Sequence, residues 1–259
     1  MVRLLKALPL TLAIAALSII ATSCGSGNSV QARFVNAIQD TNDYGGTNAA
    51  LDIDVNGTKL FSDVAFGTAS SSNYRGIPSG SDTIEGLEYN STTEVFNEQN
   101  ISFNSGNQYT LVATGFATGT NGDNVILLTP TDNNTEPSNG QVSFRVINAS
   151  PSGPNGGGAP VDVWIVPAPF IGQLTEPATI QNVAYKSASN YTSNIAYNSG
   201  GGGFLIYVTV SGQTSPTYIN GQPISVGSVS AGSIRTLVLT DQANGNTMSS
   251  QALVLTDLN

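Results

Sequence analysis

Histidine is absent from the 259 residues, and cysteine occurs once, at position 24. Without imidazole there is no Ser-His-Asp or Cys-His nucleophile and no His-bearing zinc site within the chain. A lone cysteine also forms no intrachain disulfide, so the folded parts must be held by their own apolar cores. Basic residues are scarce as well: eight Lys and Arg stand against 17 Asp and Glu. That sign disfavours nucleic acid and electrostatic docking on anionic lipid. Only one long apolar run is present, Ala7 to Ile20, and no amphipathic stretch of helical period follows it.

The apolar run follows Arg3 and Lys6 and ends at Ala21-Thr-Ser-Cys24. A charged start, a short apolar middle and small residues before a cut describe an export signal, too short to span a bilayer comfortably as a mature helix. A cysteine directly after Ala-Thr-Ser resembles a bacterial lipobox, which makes Cys24 the expected lipidation site and residues 1–23 a lipoprotein signal peptide. Gly25 and Ser26 follow, with no Asp at the second position, a pattern that points to outer-membrane retention. Residues 24–30 form a small, polar tether. Cleavage removes Arg3 and Lys6, leaving six basic and 17 acidic side chains, a net charge of −11. The charge is lopsided: −10 over residues 31–138 and −1 over 139–259.

What remains is one unit written twice. Val30-Gln-Ala-Arg-Phe-Val-Asn-Ala37 answers Val142-Ser-Phe-Arg-Val-Ile-Asn-Ala149, with Arg33 and Arg145, and Asn36 and Asn148, in register 112 residues apart. Leu51-Asp-Ile-Asp-Val55 answers Val161-Asp-Val-Trp-Ile165. Val64-Ala-Phe66 with Ser72-Asn-Tyr74 answers Val183-Ala-Tyr185 with Ser189-Asn-Tyr191. Later, Ser105 to Ala113 answers Ala231 to Leu239, and Val125 to Thr129 answers Ala252 to Thr256. These segments resemble the bacterial domain of unknown function 4397 (DUF4397), often found as tandem copies in secreted proteins and lipoproteins. The resemblance implies a β-sandwich and no particular reaction or ligand.

Apolar alternation of period two, in runs bounded by Gly, Asn, Pro and Ser, predicts half-buried strands throughout. The spacing places them near 30–37, 51–55, 58–62, 83–89, 94–103, 108–115 and 124–129, then 141–148, 161–166, 181–185, 204–210, 216–219, 233–240 and 249–256. The expected fold class is all-β, with two consecutive immunoglobulin-like or transthyretin-like sandwiches over residues 31–130 and 141–259 after an N-terminal signal helix. Residues 131–140 read as a linker that limits relative motion without fusing the two domains.

Candidate chemistries are few. Asp52-x-Asp54-x-Asn56-Gly57 with Asp63 at the twelfth position matches most of an EF-hand loop, but the alternation and the Asn-Gly pair favour a β-hairpin. Asp40 and Asp43 form a loose acidic cluster. Arg33 with Asp52, and Arg145 with Asp162, recur together in both copies and suggest a cross-strand ion pair in each. Lys186 beside Ser187 invites comparison with a Ser-Lys dyad, and paired carboxylates alone are enough for glycoside hydrolysis. Trp164 alternates with Asp162, on the face opposite Val161 and Val163, where it either stacks on a sugar or is covered by a loop. Tyr185, Tyr191, Tyr197, Tyr207 and Tyr218 add aromatic surface. The runs Gly156–Gly158 and Gly200–Gly203 open onto no helix and read as loops.

The expectation is a non-catalytic, lipid-anchored cell-envelope protein, a spacer and interaction module without metal or cofactor. Its contacts are the membrane, through the lipid on Cys24, and a protein or glycan of unknown identity. The alternative is a carbohydrate- or Ca²⁺-dependent surface binding protein.

Overall fold

The computed structural model describes residues 29–39, 50–70, 74–117, 123–151, 158–170, 172–193, 195–197, 200, 202–215, 223–227, 229–241 and 250–258. Cys24, the export signal, Asp40, Asp43 and Tyr218 lie outside these residues. So does the strand expected over 216–219.

The described residues form strands and turns only. The first half holds β1 (Val30–Gln39), β2 (Leu51–Val55), β3 (Thr58–Val64), β4 (Thr68–Ala69), β5 (Arg75–Ile77), β6 (Gly80–Glu88), β7 (Glu94–Phe103), β8 (Gln108–Phe116), β9 (Ile126–Leu128) and β10 (Thr131–Asp132). The second holds β11 (Gln141–Asn148), β12 (Val161–Pro167), β13 (Ile180–Val183), β14 (Ser187–Ala188), β15 (Ile195–Ala196), β16 (Phe204–Val210), β17 (Ile224–Val226), β18 (Ile234–Asp241) and β19 (Ser250–Leu258).

Each half is a two-sheet sandwich. In the first, β10-β8-β1-β4, with β5 and β9 attached, faces β3-β2-β6-β7; in the second, β14-β11-β18-β19, with β15, faces β13-β12-β16-β17. Pairing is antiparallel except at the centre of one sheet per half, where β1 runs parallel to β8 and β11 to β18. Inward residues such as Phe34, Ile53, Ile84 and Leu111 fill one core, and Phe144, Val163, Ile206 and Leu237 fill the other. The Asn56-Gly57 pair makes the β2–β3 turn with φ of 50° and 75°, a conformation those residues tolerate and most others do not.

One expectation fails in an informative way. β1, β8, β11 and β18 are buried on both faces, so they are not the half-buried strands that period-two alternation implies. Their second faces pack on each other: Val35, Ala37 and Val112 of the first half meet Ile147, Ala149, Val238 and Leu255 of the second in a third apolar core. Consecutive apolar pairs, Phe34-Val35 and Val238-Leu239, are the sequence expression of strands with two dry faces. The linker reading is corrected accordingly. Thr131 and Asp132 are strand β10, hydrogen-bonded to Tyr109 and Gln108 of β8, and the halves are fused through a buried seam.

Candidate functional site

The seam contains the most concentrated polar chemistry among the described residues. Arg33, at the start of β1, is 2% exposed, and Arg145 in β11 also 2%. Arg33 Nε donates to Thr110 Oγ1 at 2.9 Å and its Nη1 to the Thr256 carbonyl at 2.9 Å, while Nη2 pairs with Asp257. Arg145 repeats the pattern toward the other half: Nε to Thr236 Oγ1 at 3.2 Å, Nη1 to the Thr131 carbonyl at 3.0 Å, and Nη2 to Asp132. Each arginine therefore reaches the aspartate on the last strand of the other half.

The aspartates are held in turn by their own halves. Asp132 accepts from Tyr74 Oη at 2.6 Å and from Thr110 Oγ1 at 2.7 Å. Asp257 accepts from Tyr191 Oη at 2.9 Å and from Thr236 Oγ1 at 2.6 Å. The guanidinium of Arg33 lies 5.0 Å from the Tyr74 ring centre and that of Arg145 4.6 Å from Tyr191, so each cation also rests on an aromatic face. The eight side chains form a closed, charge-neutral ring related by the pseudo-two-fold of the repeat. Burial alone would lower the ionisation range of Arg33, but Asp257 and Asp132 outweigh it and hold the guanidinium charged above its usual range. Burial chiefly, with the adjacent aspartates, pushes the Tyr74 and Tyr191 phenols well above the ordinary tyrosine range, so both remain hydrogen-bond donors.

Two further ties cross the seam. Thr114 Oγ1 donates to the Ala149 carbonyl at 2.9 Å. Asp123 accepts from Tyr185 Oη at 2.9 Å and pairs with Lys186, whose Nζ also donates to the Asn124 carbonyl at 2.7 Å. The Ser-Lys reading of residues 186 and 187 is corrected by this geometry, because Lys186 is committed to Asp123 and Ser187 Oγ donates to the Ala184 carbonyl at 2.6 Å.

The proposed pairings of Arg33 with Asp52 and of Arg145 with Asp162 are likewise corrected. The arginines sit on the seam sheet, whereas Asp52 and Asp162 lie on the other sheet of each sandwich. Asp52 accepts from Lys59 Nζ at 2.5 Å, Ser62 Oγ at 2.6 Å, Asp63 N at 3.1 Å and Asn90 N at 3.2 Å. Asp162 accepts from Asn182 N at 2.7 Å, Ser211 Oγ at 3.0 Å and Gly212 N at 2.7 Å. In both copies the carboxylate clamps a left-handed residue, Asp63 at φ 57° or Asn182 at φ 51°, together with the following turn. These residues are spoken for by the fold. The calcium-loop pattern is therefore a hairpin whose first aspartate is a clamp, and no group of three or more potential metal ligands occurs among the described residues.

Burial would raise the Asp52 carboxyl, but the bonds from Lys59, Ser62 and the two amides prevail and hold it below its usual range. A carboxyl held low in the folded state contributes stability above its unfolded pKa, about 3.9, and loses that contribution as pH falls through the folded value. Asp52→Asn should therefore be less stable than the parent near neutral pH, with the gap closing below about pH 4. Thermal melts of both chains between pH 2 and 7 measure this, and a gap that stays constant with pH would refute the assignment.

The motif asparagines join the sheets of each sandwich. Asn36 Nδ2 donates to the Val64 carbonyl at 3.0 Å, and Asn148 Nδ2 to the Val183 carbonyl at 3.1 Å. Trp164 is 4% exposed, and its Nε1 donates to the Thr175 carbonyl at 3.1 Å, so the loop-covered reading holds and the exposed-platform reading does not. Tyr197 packs on the second core, and Tyr207 contacts Phe170 on the outer face. Of the glycine runs, Gly158 lies against Tyr185, and a side chain at Gly203 would meet the Val226 carbonyl at 2.2 Å.

Sequence comparison of the copies missed the aspartates of the ring. It aligned Thr129 with Thr256, whereas register and bonding make Thr131-Asp132 the partner of Thr256-Asp257. The recurring Thr-Asp dipeptide was the available signal. It likewise paired Ser72 with Ser189, but Ser70 Oγ accepts from Phe34 N at 2.9 Å just as Ser189 Oγ accepts from Val146 N at 3.0 Å.

A comparison with curated proteins returned no match. The model of a domain of unknown function, DUF4397, matches residues 30–155, which takes in all ten strands of the first half and β11 of the second. Over that stretch, which carries the Arg-x-x-Asn-Ala strand, the chain matches the DUF4397 family.

Proposed function

We propose that this is a non-catalytic, lipid-anchored cell-envelope protein in which two fused sandwiches act as one rigid spacer that carries an interaction surface. The observation that supports it best is the fate of the repeated polar residues. Arg33, Asn36, Asp52, Tyr74 and Asp132, with Arg145, Asn148, Asp162, Tyr191 and Asp257, are all consumed in joining strands, sheets or halves. Nothing in that set is left to act on a substrate. Among the described residues, three clefts, one beside Thr179 and Thr192, one beside Phe170 and Tyr207 and one beside Arg33 and Leu255, are lined by no acidic side chain, so none of these three lends support to a carboxylate-pair hydrolase. Rigidity suits a spacer, because domains joined by a large apolar interface do not move independently.

The anchor reading rests on Ala21-Thr-Ser-Cys24. Several acyl chains on one residue give stable membrane attachment where a single chain does not. The acidic first half, at −10, disfavours attachment by charge and leaves the lipid to do it. Expression of the full chain in a bacterium fed an alkyne fatty acid is expected to label the parent and leave Cys24→Ser unlabelled and released from the membrane fraction. An unlabelled parent, or membrane retention of Cys24→Ser, would refute the anchor.

A further inference from the structure

The outer face of the second half carries a group of side chains with no duty in the fold. β12 and β16 pair with Trp164 opposite Tyr207, on the face turned away from the core that Val163 and Ile206 help fill. Trp164 is used up in pinning the segment that crosses over it through the Thr175 carbonyl. From that segment Phe170 descends and meets Tyr207 edge-on, ring centres 5.9 Å apart at 64°. Gly172 lets the chain pass close to this ring, since a side chain there would stand 3.1 Å from Phe170. Between the two rings and the turn at Thr214 and Ser215 lies an open cleft of about 380 Å³, to which Gln173 and Leu174 also contribute.

The chemistry of that lining is selective. It offers two aromatic rings, one leucine, one amide, two aliphatic hydroxyls and a phenol, with no charged side chain. Among the described residues, no protein group hydrogen-bonds the side chains of Gln173, Tyr207, Thr214 or Ser215, so their donors and acceptors face the cleft or water. A phosphate or carboxylate ligand would find no cation there. A wholly apolar ligand would strip water from four polar groups and return nothing, an unfavourable exchange. A neutral sugar meets both demands, because its C–H face covers a ring while hydroxyls at its rim donate to and accept from amide and hydroxyl groups. The volume falls near the lower end of small-ligand sites, about 300–1,000 Å³, which suits one or two sugar units and not a long chain.

We propose that this cleft binds a neutral sugar, as the terminal unit of an envelope glycan, with Tyr207 as the stacking platform and Gln173, Thr214 and Ser215 as its polar contacts. The site deepens the reading of the protein as an interaction module and rests on it. The test uses the purified full-length chain, Tyr207→Ala and Gln173→Ala, probed on an array of neutral glycans and then by titration with the best-retained one. Gln173 is exposed and bonded to nothing else described, so its variant separates binding from folding. Retention of neutral glycans by the parent, with dissociation constants raised at least tenfold in both variants and an unchanged melting temperature in Gln173→Ala, is the expected result. No retained neutral glycan, or equal retention by all three chains, would overturn the site. A chain that is acylated at Cys24 but retains no glycan removes this site and leaves the anchored-module reading standing, whereas a chain that binds glycan without acylation does the reverse.

Discussion

Arg33→Ala is expected to destabilise the whole chain by about 3–5 kcal/mol, the scale seen when one partner of a buried ion pair is removed. The side chain of Asp257 is fully buried, and without Arg33 it keeps only the hydroxyls of Tyr191 and Thr236. Arg145→Ala should act in the same direction, because Asp132 then keeps only Arg33 at 3.7 Å and the hydroxyls of Tyr74 and Thr110. Removing both partners of a pair is often close to neutral, but here Arg33→Met with Asp257→Leu would take away the acceptor to which the Tyr191 and Thr236 hydroxyls donate, at about 1–3 kcal/mol for a buried group left unpaired, while Thr236 Oγ1 still accepts from Arg145. The double-mutant cycle should therefore show strong coupling between residues 224 positions apart, with the pair replacement still less stable than the parent. Urea unfolding of the four chains measures it. A loss below about 1 kcal/mol for Arg33→Ala would mean that the ring is an exposed, screened pair and not the buried one described.

How much of this was legible beforehand follows from what a repeat can say. The long strands were readable, since period-two runs such as Leu51 to Val55 and Glu94 to Phe103 stand between turn signals. Of the pieces of two or three residues only β9 was, within the run 124–129; β4, β5, β10, β14, β15 and β17 were not, because so few positions carry no period and their pairing is set by neighbours on β1, β8, β11 and β16. Comparison of the copies found the residues each half needs, Arg33, Asn36, Asp52 and their equivalents. It then assigned partners within a copy, and the arginines in fact bond across copies. A contact between repeats leaves the same residue types in both and no mark of which half supplies the partner. Trp164 shows the complementary limit: alternation gave its face correctly, but whether a face is wet depends on the path of residues 168–178, which no period encodes.

The seam also determines how the chain should unfold. Phe144 is 1% exposed and packs edge-on against Phe204, ring centres 5.4 Å apart at 72°, deep in the second core. Phe144→Ala should cost about 3–5 kcal/mol through lost burial and the cavity it leaves. Two independent sandwiches would confine that loss to the second half. Here β11 carries Phe144 on one face and Arg145 and Ile147 on the other, where they meet Asp132 and the side chains of Val35 and Val112. Loosening β11 therefore withdraws partners from the first half, which to stay folded alone would have to expose the apolar face of β1 and β8 and leave Arg33 and Asp132 with only the 3.7 Å contact between them as an ion pair. The expected result is a single cooperative transition, in which amide exchange of Leu111 to Ala113 in the first half speeds up with that of Leu237 to Leu239 in the second, by roughly a hundredfold or more. Exchange monitored by mass spectrometry would resolve both strands in one experiment. If β8 kept its parental protection while β18 lost it, the halves would be separate folding units, and the seam a contact between stable neighbours.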